Sequence, residues 1–258
     1  MDIKGLKMKD IETLYKDISI GELPKFLELL KEDTRAGVQK IYHRGLKELQ
    51  TLEQLKEEWQ QKLAFDECFA EANQVLVGID EVGRGPLAGP VVASAVILPR
   101  DCELLGVKDS KKLSEEKREI LYDQIMQQAL YVGIGIVEAP EIDEINILQA
   151  TFKAMRQAVA GLNRAYDTIL VDGDKTIPQL TCVQQAIVKG DNKSASIAAA
   201  SIIAKVTRDR MMKEYAKTYP MYDWESNKGY GSTKHYEGIR QCGITPLHRK
   251  TFLKKEGF

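Results

Sequence analysis

The sequence predicts an α/β fold in which helices flank a mixed β-sheet, preceded by a small N-terminal domain that contains only helices. Two observations carry this prediction. Apolar residues repeat at helical spacing through residues 1–71, where no strand pattern occurs. Over residues 72–258, grouped apolar runs come first and then alternate with helical patterns, which is typical of a sheet with parallel and antiparallel pairs. We therefore expect a domain boundary near residue 71.

Residues 1–71 contain two stripes of apolar side chains that repeat every three or four positions. Their members are Ile11, Leu14, Tyr15 and Ile18, then Leu49, Leu52, Leu55, Trp59 and Leu63. Each stripe would cover one face of an amphipathic helix. We interpret this region as a small helical bundle.

Short apolar runs predict the strands of the second region, at 74–79, 91–98, 131–137, 168–171 and 183–188. Helices are predicted between and after them. One begins after Ser114, a favourable N-cap followed by two glutamates in the first turn. Apolar spacing marks a second helix between residues 142 and 159, and a third from Ser194 to about Tyr215. A C-terminal helical region completes residues 72–258.

Composition excludes several classes of protein. Hydrophobic residues make up 43% of the chain and charged residues 29%, as in a folded soluble protein. No apolar run approaches the roughly 20 residues needed to cross a bilayer. The first 20 residues contain no signal-peptide core. We therefore expect a cytoplasmic protein that does not act on membranes.

Metal-binding and nucleotide-binding motifs of the common kinds do not occur. The cysteines form no C-x-x-C pair and the three histidines form no zinc-binding motif, which argues against a zinc hydrolase. No G-K-[ST] is present, so an NTPase is disfavoured. Charge, however, is uneven: residues 1–71 carry −3, residues 72–204 carry −4 and residues 205–258 carry +6. This distribution is compatible with a polyanionic partner and equally with an ordinary solvated surface.

Carboxylates follow apolar strands at three places. Asp80 and Glu81 follow the first strand, Asp172 follows the fourth, and Asp191 lies just after the fifth. Neighbouring strand residues point to opposite faces, so Asp80 and Glu81 can share a site only if the strand bends. Together the four would form a pocket for hard divalent cations, and two such ions can drive phosphodiester hydrolysis. Charged strand ends and a helix cap are the alternative explanation.

The segment Gly83-Arg84-Gly85 follows the first carboxylate pair. It would place backbone groups and one guanidinium beside the carboxylates. Such a loop suits close recognition of a sugar-phosphate, because its glycines leave the backbone open to a ligand. The alternative explanation is an ordinary turn.

Residues 80–90, DEVGRGPLAGP, resemble the opening signature of the bacterial ribonuclease HII family. Later segments resemble further blocks of that family in the same order, over roughly residues 75–252. They are DSKKL at 109–113, DEINI at 143–147, VDG at 171–173, KGD at 189–191, AASIIAKVTRD at 199–209, KGYG at 228–231 and HR at 248–249.

The resemblance implies an RNase H-like catalytic domain over residues 72–258. It also implies a catalytic and metal-binding site that holds two Mn²⁺ or Mg²⁺ ions during catalysis, and a set of substrate-binding residues. The implied ligands are Asp80, Glu81, Asp172 and Asp191. In the substrate-binding set, Gly83, Arg84 and Gly85 would read the ribonucleotide 2′-hydroxyl, Tyr230 would pack on the sugar beside the junction, and Ser110 and Lys111 would contact phosphate.

The implied activity is that of a metal-dependent endoribonuclease. It would hydrolyse the RNA strand of RNA/DNA hybrids and cut 5′ of single ribonucleotides in duplex DNA, leaving 3′-hydroxyl and 5′-phosphate ends. Its roles would be ribonucleotide excision repair and primer removal in DNA replication. We expect a monomer whose partners are hybrids and ribonucleotide-containing duplex DNA. The C-terminal residues show no obvious segment for binding a sliding clamp.

Two alternatives stay open at this point. One is the type III ribonuclease H relative, which carries a different accessory domain. The other is a non-catalytic nucleic-acid-binding protein of the same fold. Tyr230 and an aspartate as the fourth carboxylate favour type II, and the presence of all four acidic residues favours an enzyme.

Overall fold

The structure is a computed structural model that describes residue 3, residues 5–108 and residues 110–254. No helix in this described part of the chain is long and apolar enough to cross a membrane. Its main elements, in chain order, are α1 Met8–Asp17, α2 Leu23–Leu30, α3 Ala36–Glu67, β1 Leu76–Val82, β2 Val91–Ile97, α4 Glu115–Gln128, β3 Tyr131–Val137, α5 Ala139–Ile145, α6 Ile147–Gly161, β4 Thr168–Asp172, β5 Val183–Ile187, α7 Ala195–Thr218, α8 Trp224–Asn227, α9 Thr233–Cys242 and α10 Lys250–Leu253.

Contacts divide the chain into two compact units, Met1–Glu58 and Trp59–Phe258. The first unit is helical and has its own apolar core. Arg35 joins the segment before α1 to the turn before α3, because its guanidinium pairs with Asp33 at 2.6 Å and donates to the Leu6 carbonyl at 2.6 Å. The buried core residues are Ile3, Ile11, Tyr15, Leu23, Phe26, Leu27, Leu30, Val38 and Ile41.

The end of α3 belongs to the second unit. Trp59 is 2% exposed, and its indole N–H donates to the Cys102 carbonyl at 2.7 Å. Asp66 accepts hydrogen bonds from the backbone N–H of Ser196 at 2.9 Å and from its hydroxyl at 2.7 Å. The second compact unit therefore begins inside α3, before the boundary that the sequence predicts near residue 71. That predicted boundary stays a prediction.

The strand order of the described sheet is β3-β2-β1-β4-β5. β1 pairs with β2, and β2 with β3, in antiparallel fashion. The β1–β4 and β4–β5 pairs are parallel. The predicted mixed sheet flanked by helices is thus confirmed.

Helices cover both faces of this sheet. Val77 and Ile79 of β1 pack with α6 residues in one apolar core. The alternate residue Gly78 faces α7, where a Cβ atom would overlap the backbone at Ser196 and Ile197. Glycine therefore lets α7 lie directly on β1. Because side chains alternate along a strand, Asp80 shares the face that α7 covers.

Two elements differ from the sequence prediction. The first strand continues through Asp80 and Glu81 to Val82 instead of ending at residue 79. The single helix predicted over 142–159 is two helices, α5 and α6, which meet at Asn146. Asn146 has φ +66°, and its side chain caps α6 by accepting from the Leu148 N–H at 3.0 Å. Apolar spacing continues across this break, so periodicity alone does not reveal it.

Aromatic rings form the core of the C-terminal helical region. Tyr222 and Trp224 stack with ring centroids 4.9 Å apart, and His235 and His248 pack edge-on against Tyr222. Both histidines are fully buried. Burial, with a smaller contribution from His235, lowers the pKa of His248 to about 4. Burial also lowers the pKa of His235.

We expect the contribution of His248 to the free energy of unfolding to fall as pH drops from about 6.5 towards 4. Unfolded histidine titrates near 6.5, whereas the pKa of native His248 is about 4. Between these values the unfolded state binds the extra proton, so the loss from His248 is at most about 1.4 kcal/mol per pH unit. Urea unfolding at several pH values measures this slope. His248→Asn should flatten it, whereas the exposed control His43→Asn should not; equal slopes would refute the assignment.

Candidate active site

The predicted carboxylates lie around one cavity of about 380 Å³. Asp80 and Glu81 reach it from β1, Asp172 from the end of β4, and Asp191 from the turn after β5. Three further predicted residues, Ser110, Lys111 and Tyr230, line the same cavity. Positions up to 150 residues apart in sequence are thereby brought together.

Sheet topology explains why these carboxylates meet. β1 and β4 are parallel neighbours, in register from Leu76 beside Thr168 to Ile79 beside Val171. Their carboxyl ends therefore lie at the same edge of the sheet. Asp172 also ties β4 to the turn after β5, because its Oδ1 accepts from the Gly190 N–H at 2.6 Å.

Asp80 is the most buried of the four carboxylates, with 6% of the residue exposed. Its Oδ1 accepts from the Glu81 N–H at 2.7 Å. Burial raises the pKa of Asp80 well above its usual range, and the negative charges of Glu81 and Asp172 raise it further. The Ser201 hydroxyl of α7 opposes this increase by lowering the pKa of the same carboxyl group. The negative potential around the Asp80 side chain thus favours the binding of a cation.

Glu81 and Asp172 share this environment. Burial raises the pKa of Glu81, while Arg84, whose Nη1 lies 3.3 Å from Oε1, opposes the increase. Burial likewise raises the pKa of Asp172, the hydrogen bond from Gly190 opposes it, and Asp191 raises it further. The cavity therefore concentrates negative charge on oxygen atoms.

Ser110 and Lys111 differ in exposure although they are adjacent. The buried Ser110 hydroxyl lies 3.0 Å from the hydroxyl of Ser201. Lys111 is exposed at the edge of the cavity. Ser110 thus contacts Ser201 of α7 within the cavity wall, and Lys111 lies at the exposed edge. The preceding Asp109, part of the same sequence block, lies outside the described residues.

Two buried arginines hold the loop that contains Gly83, Arg84 and Gly85. Arg249 donates to the carbonyls of Gly83 at 2.6 Å, Arg84 at 3.1 Å and Gly89 at 2.8 Å. The companion residue Arg208 donates to three more carbonyls, those of Ala88 at 3.0 Å, Pro90 at 2.9 Å and Lys228 at 2.8 Å. Burial lowers the pKa of Arg208 to about 10 and that of Arg249 to about 9.

Tyr230 lies beside this loop at the mouth of the cavity. Tyr230 is 46% exposed. Its ring lies 3.6 Å from the position that a Cβ atom on Gly85 would take. The preceding Gly229 has φ +89°, and its carbonyl accepts from the Leu87 N–H at 2.9 Å. The predicted glycine loop and the predicted tyrosine are therefore neighbours, although the loop does not line the cavity itself.

Sequence reasoning missed three polar residues of the cavity wall, Arg118, Ser201 and Lys205. Lys205 pairs with Asp209 at 2.7 Å, and Arg118 lies 3.7 Å from the same carboxylate. Asp209 therefore pairs with these two residues and not with its sequence neighbours Arg208 and Arg210. Positions 201, 205 and 209 form a polar stripe at four-residue spacing on an alanine-rich helix, a signal that indicates one functional face. The sequence around Arg118 carries no comparable signal.

A mixed sheet of this order, with carboxylates at the ends of neighbouring parallel strands, defines an RNase H-like protein. The family described as Ribonuclease HII matches residues 77–255, and Ribonuclease HII N-terminal domain matches residues 7–70. Ribonuclease HII of Bacillus subtilis is 50% identical over 254 residues, which cover 98% of each chain. The chain therefore belongs to the ribonuclease HII family.

Solved structures agree with this assignment. Ribonuclease H2 from Pyrococcus horikoshii is 29% identical, with a TM-score of 0.60 over 70% of this chain and 96% of that one. RNase HII in a complex with PCNA from Archaeoglobus fulgidus is 27% identical, with a TM-score of 0.58 over 68% and 94% of the two chains. The RNase H-like fold is thus confirmed.

Family membership decides between the alternatives that the sequence left open. The protein is a ribonuclease H and therefore a hydrolase, and not a non-catalytic binding protein. Its identity to type II enzymes over nearly the whole chain favours type II over the type III relative. Membership supports hydrolysis of the RNA strand in RNA/DNA hybrids.

We expect Arg249→Met to loosen the loop over residues 83–90 and to destabilise the second unit. The substitution leaves the carbonyls of Gly83, Arg84 and Gly89 without this donor, at a cost of about 1–3 kcal/mol for each acceptor left unpaired. Hydrogen exchange of peptides covering the loop should accelerate, and urea should unfold the variant earlier. The exposed Arg210, which pairs with Glu119, supplies the control Arg210→Met. An unchanged exchange rate in Arg249→Met would show that Arg249 does not hold the loop.

Proposed function

We propose that this protein is a divalent-metal-dependent endonuclease that also cuts 5′ of single ribonucleotides in duplex DNA. The products would carry 3′-hydroxyl and 5′-phosphate ends. One observation carries the proposal: Asp80, Glu81, Asp172 and Asp191 line one cavity, with Tyr230 at its mouth. These activities would serve ribonucleotide excision repair and primer removal, with the protein acting as a monomer on its nucleic-acid partner.

The chemistry of the cavity fits hard cations such as Mg²⁺ or Mn²⁺. Among the residues that the structure describes, its wall offers carboxylate oxygens and no imidazole or thiol. Within residues 5–108 and 110–254, no three Asp, Glu, His or Cys side chains stand in a geometry that holds an ion unaided. Mg²⁺ commonly binds through one or two carboxylates and substrate phosphates, with water completing the shell. We therefore propose that substrate completes the coordination.

When bound, two ions would supply an activated water and stabilise the leaving oxygen. The residues of the chain prepare this chemistry by holding oxygen atoms in place. The Glu81 N–H orients Asp80, and the Gly190 N–H orients Asp172. Ligands fixed in this way need little rearrangement as the reaction proceeds.

Residues at the edge of the cavity would bind the substrate backbone. Lys111 is exposed there, and the side chain of Arg84 is 52% exposed although it pairs with Glu81. Both would place a positive charge beside a phosphate. Ser110 would join Lys111 at the phosphate, in addition to its contact with Ser201.

The Gly83-Arg84-Gly85 loop would recognise the ribose 2′-hydroxyl, the group that distinguishes RNA from DNA. Gly85 leaves room for a sugar beside Tyr230, because no side chain intervenes. The Tyr230 ring would pack on the deoxyribose that follows, where a second 2′-hydroxyl would crowd it. Together they would favour a ribonucleotide followed by DNA.

We expect cleavage of a duplex with one embedded ribonucleotide only when Mg²⁺ or Mn²⁺ is supplied. Mapping of the product ends should place the cut 5′ of the ribonucleotide, with a 3′-hydroxyl and a 5′-phosphate. Asp80→Asn should lower the rate by about 100-fold or more while circular dichroism stays unchanged. Asp191→Asn should cost more activity than Asp209→Asn, the matched carboxylate that is paired within the protein. A cut that persists in EDTA would refute the proposal.

We expect Tyr230→Ala to impair cleavage at a lone ribonucleotide more than cleavage of a continuous hybrid. A lone site offers a single 2′-hydroxyl, so its recognition depends on the fit of the neighbouring deoxyribose. The kcat/KM values for both substrates must be measured at one salt concentration, because phosphate contacts make affinity salt-dependent. Equal losses on the two substrates would assign Tyr230 a structural role only.

A further inference from the structure

A chain of hydrogen bonds leads from the buried C-terminal core to Tyr230. His235 of α9 and His248, just before α10, are both buried, and their Nε2 atoms lie 3.2 Å apart. Neither residue lines the cavity. The Nδ1 atom of His235 lies 2.8 Å from the Tyr230 carbonyl oxygen. The pair therefore contacts the backbone of a residue whose ring faces the substrate side.

The partners of each ring nitrogen assign the protons. The Thr245 N–H donates to Nδ1 of His248 at 2.9 Å, so the proton of neutral His248 is on Nε2. That N–H points at Nε2 of His235, which also accepts from the Trp224 indole N–H at 3.0 Å. His235 therefore carries its proton on Nδ1 and donates it to the Tyr230 carbonyl. In each of these hydrogen bonds, from Thr245 through His248 and His235, the N–H donor points toward the Tyr230 end of the series.

Neither imidazole can take a second proton without placing that proton against an N–H donor. A second proton on His248 would face the Thr245 N–H, and one on Nε2 of His235 would face the Trp224 N–H. The Tyr230 carbonyl also accepts from the Ser232 N–H at 2.9 Å, and the Tyr230 N–H donates to Asn227 at 3.0 Å. The backbone of Tyr230 is thus fixed from behind while its ring stays exposed.

We propose that His235 and His248 are positioning residues that set the Tyr230 ring for its contact with the sugar beside a ribonucleotide. The inference rests on the proposed role of Tyr230 and adds the two residues that hold its backbone in position. An exposed ring selects between sugars only if its backbone is held firmly, because small displacements at a binding site cost large factors in rate. The two imidazoles never touch substrate and act through the Tyr230 carbonyl alone.

The readout is the ratio of kcat/KM on a lone-ribonucleotide duplex to kcat/KM on a continuous RNA/DNA hybrid. His235→Leu removes the donor to Tyr230 and should lower this ratio on the order of tenfold. His235→Asn should restore it, because the amide nitrogen takes the place of Nδ1. Tyr222→Phe is the matched control. It alters the same core, but the hydroxyl that it removes donates to the Gly243 carbonyl and not to Tyr230. Its ratio should match the parent's.

A double variant separates this inference from the proposed function. In the Tyr230→Ala background, His235→Leu should lower the ratio no further, because both act through one ring. An additional loss there, or an unchanged ratio in His235→Leu alone, would overturn the positioning role and leave that of Tyr230 intact. An unchanged ratio in Tyr230→Ala alone would overturn both.

Nitrogen-15 NMR of the unaltered, histidine-labelled protein tests the relay without any variant. At neutral pH, His235 should be protonated on Nδ1 and His248 on Nε2. The opposite tautomer on either ring, or a charged imidazole at this pH, would overturn the inference.

Discussion

The direct contact of α7 with β1 at Gly78 is the constraint on which the rest of the second unit depends. A side chain at this position would overlap the Ser196 backbone, so the helix lies against the strand only because position 78 is glycine. From that contact, α7 places Ser201 in the wall of the cavity that Asp80 also lines, and it brings Arg208 to the loop after β1. One helix therefore supports both the carboxylates and the backbone beside them.

The catalytic edge of the sheet is stabilised by polar contacts where an ordinary core would use apolar packing. Removing charge from water is costly, and the cost is offset only when each group finds partners. Arg208 and Arg249 meet this condition with carbonyl oxygens, and Asp209 meets it with Lys205 and Arg118. The carboxylates of the cavity are neutralised only in part, Glu81 by Arg84 and Asp172 by Lys111, which is a usual condition of a site that binds cations and substrate.

The sequence allowed prediction of the mixed sheet and of the carboxylates that meet at its edge, because strand ends and alternation are local signals. It did not reveal the break at Asn146, where apolar spacing continues. Nor did it reveal the roles of Arg208 and Arg249, since a buried arginine and a surface arginine look alike in a sequence. The contact between His235 and His248 depends on the folding of the segment between them, which no spacing rule describes.

The continuity of α3 bears on how this protein could have acquired, or could exchange, its N-terminal segment. A genetic splice at the family-domain edge near residue 70 would remove Trp59 and Asp66 from the unit that they stabilise. Ser196, in the first turn of α7, would lose its acceptor Asp66, and the Cys102 carbonyl would lose its indole donor. A chimera joined before Trp59 keeps both hydrogen-bonded contacts. The family-domain boundary and the boundary between the compact units therefore differ by about one third of α3.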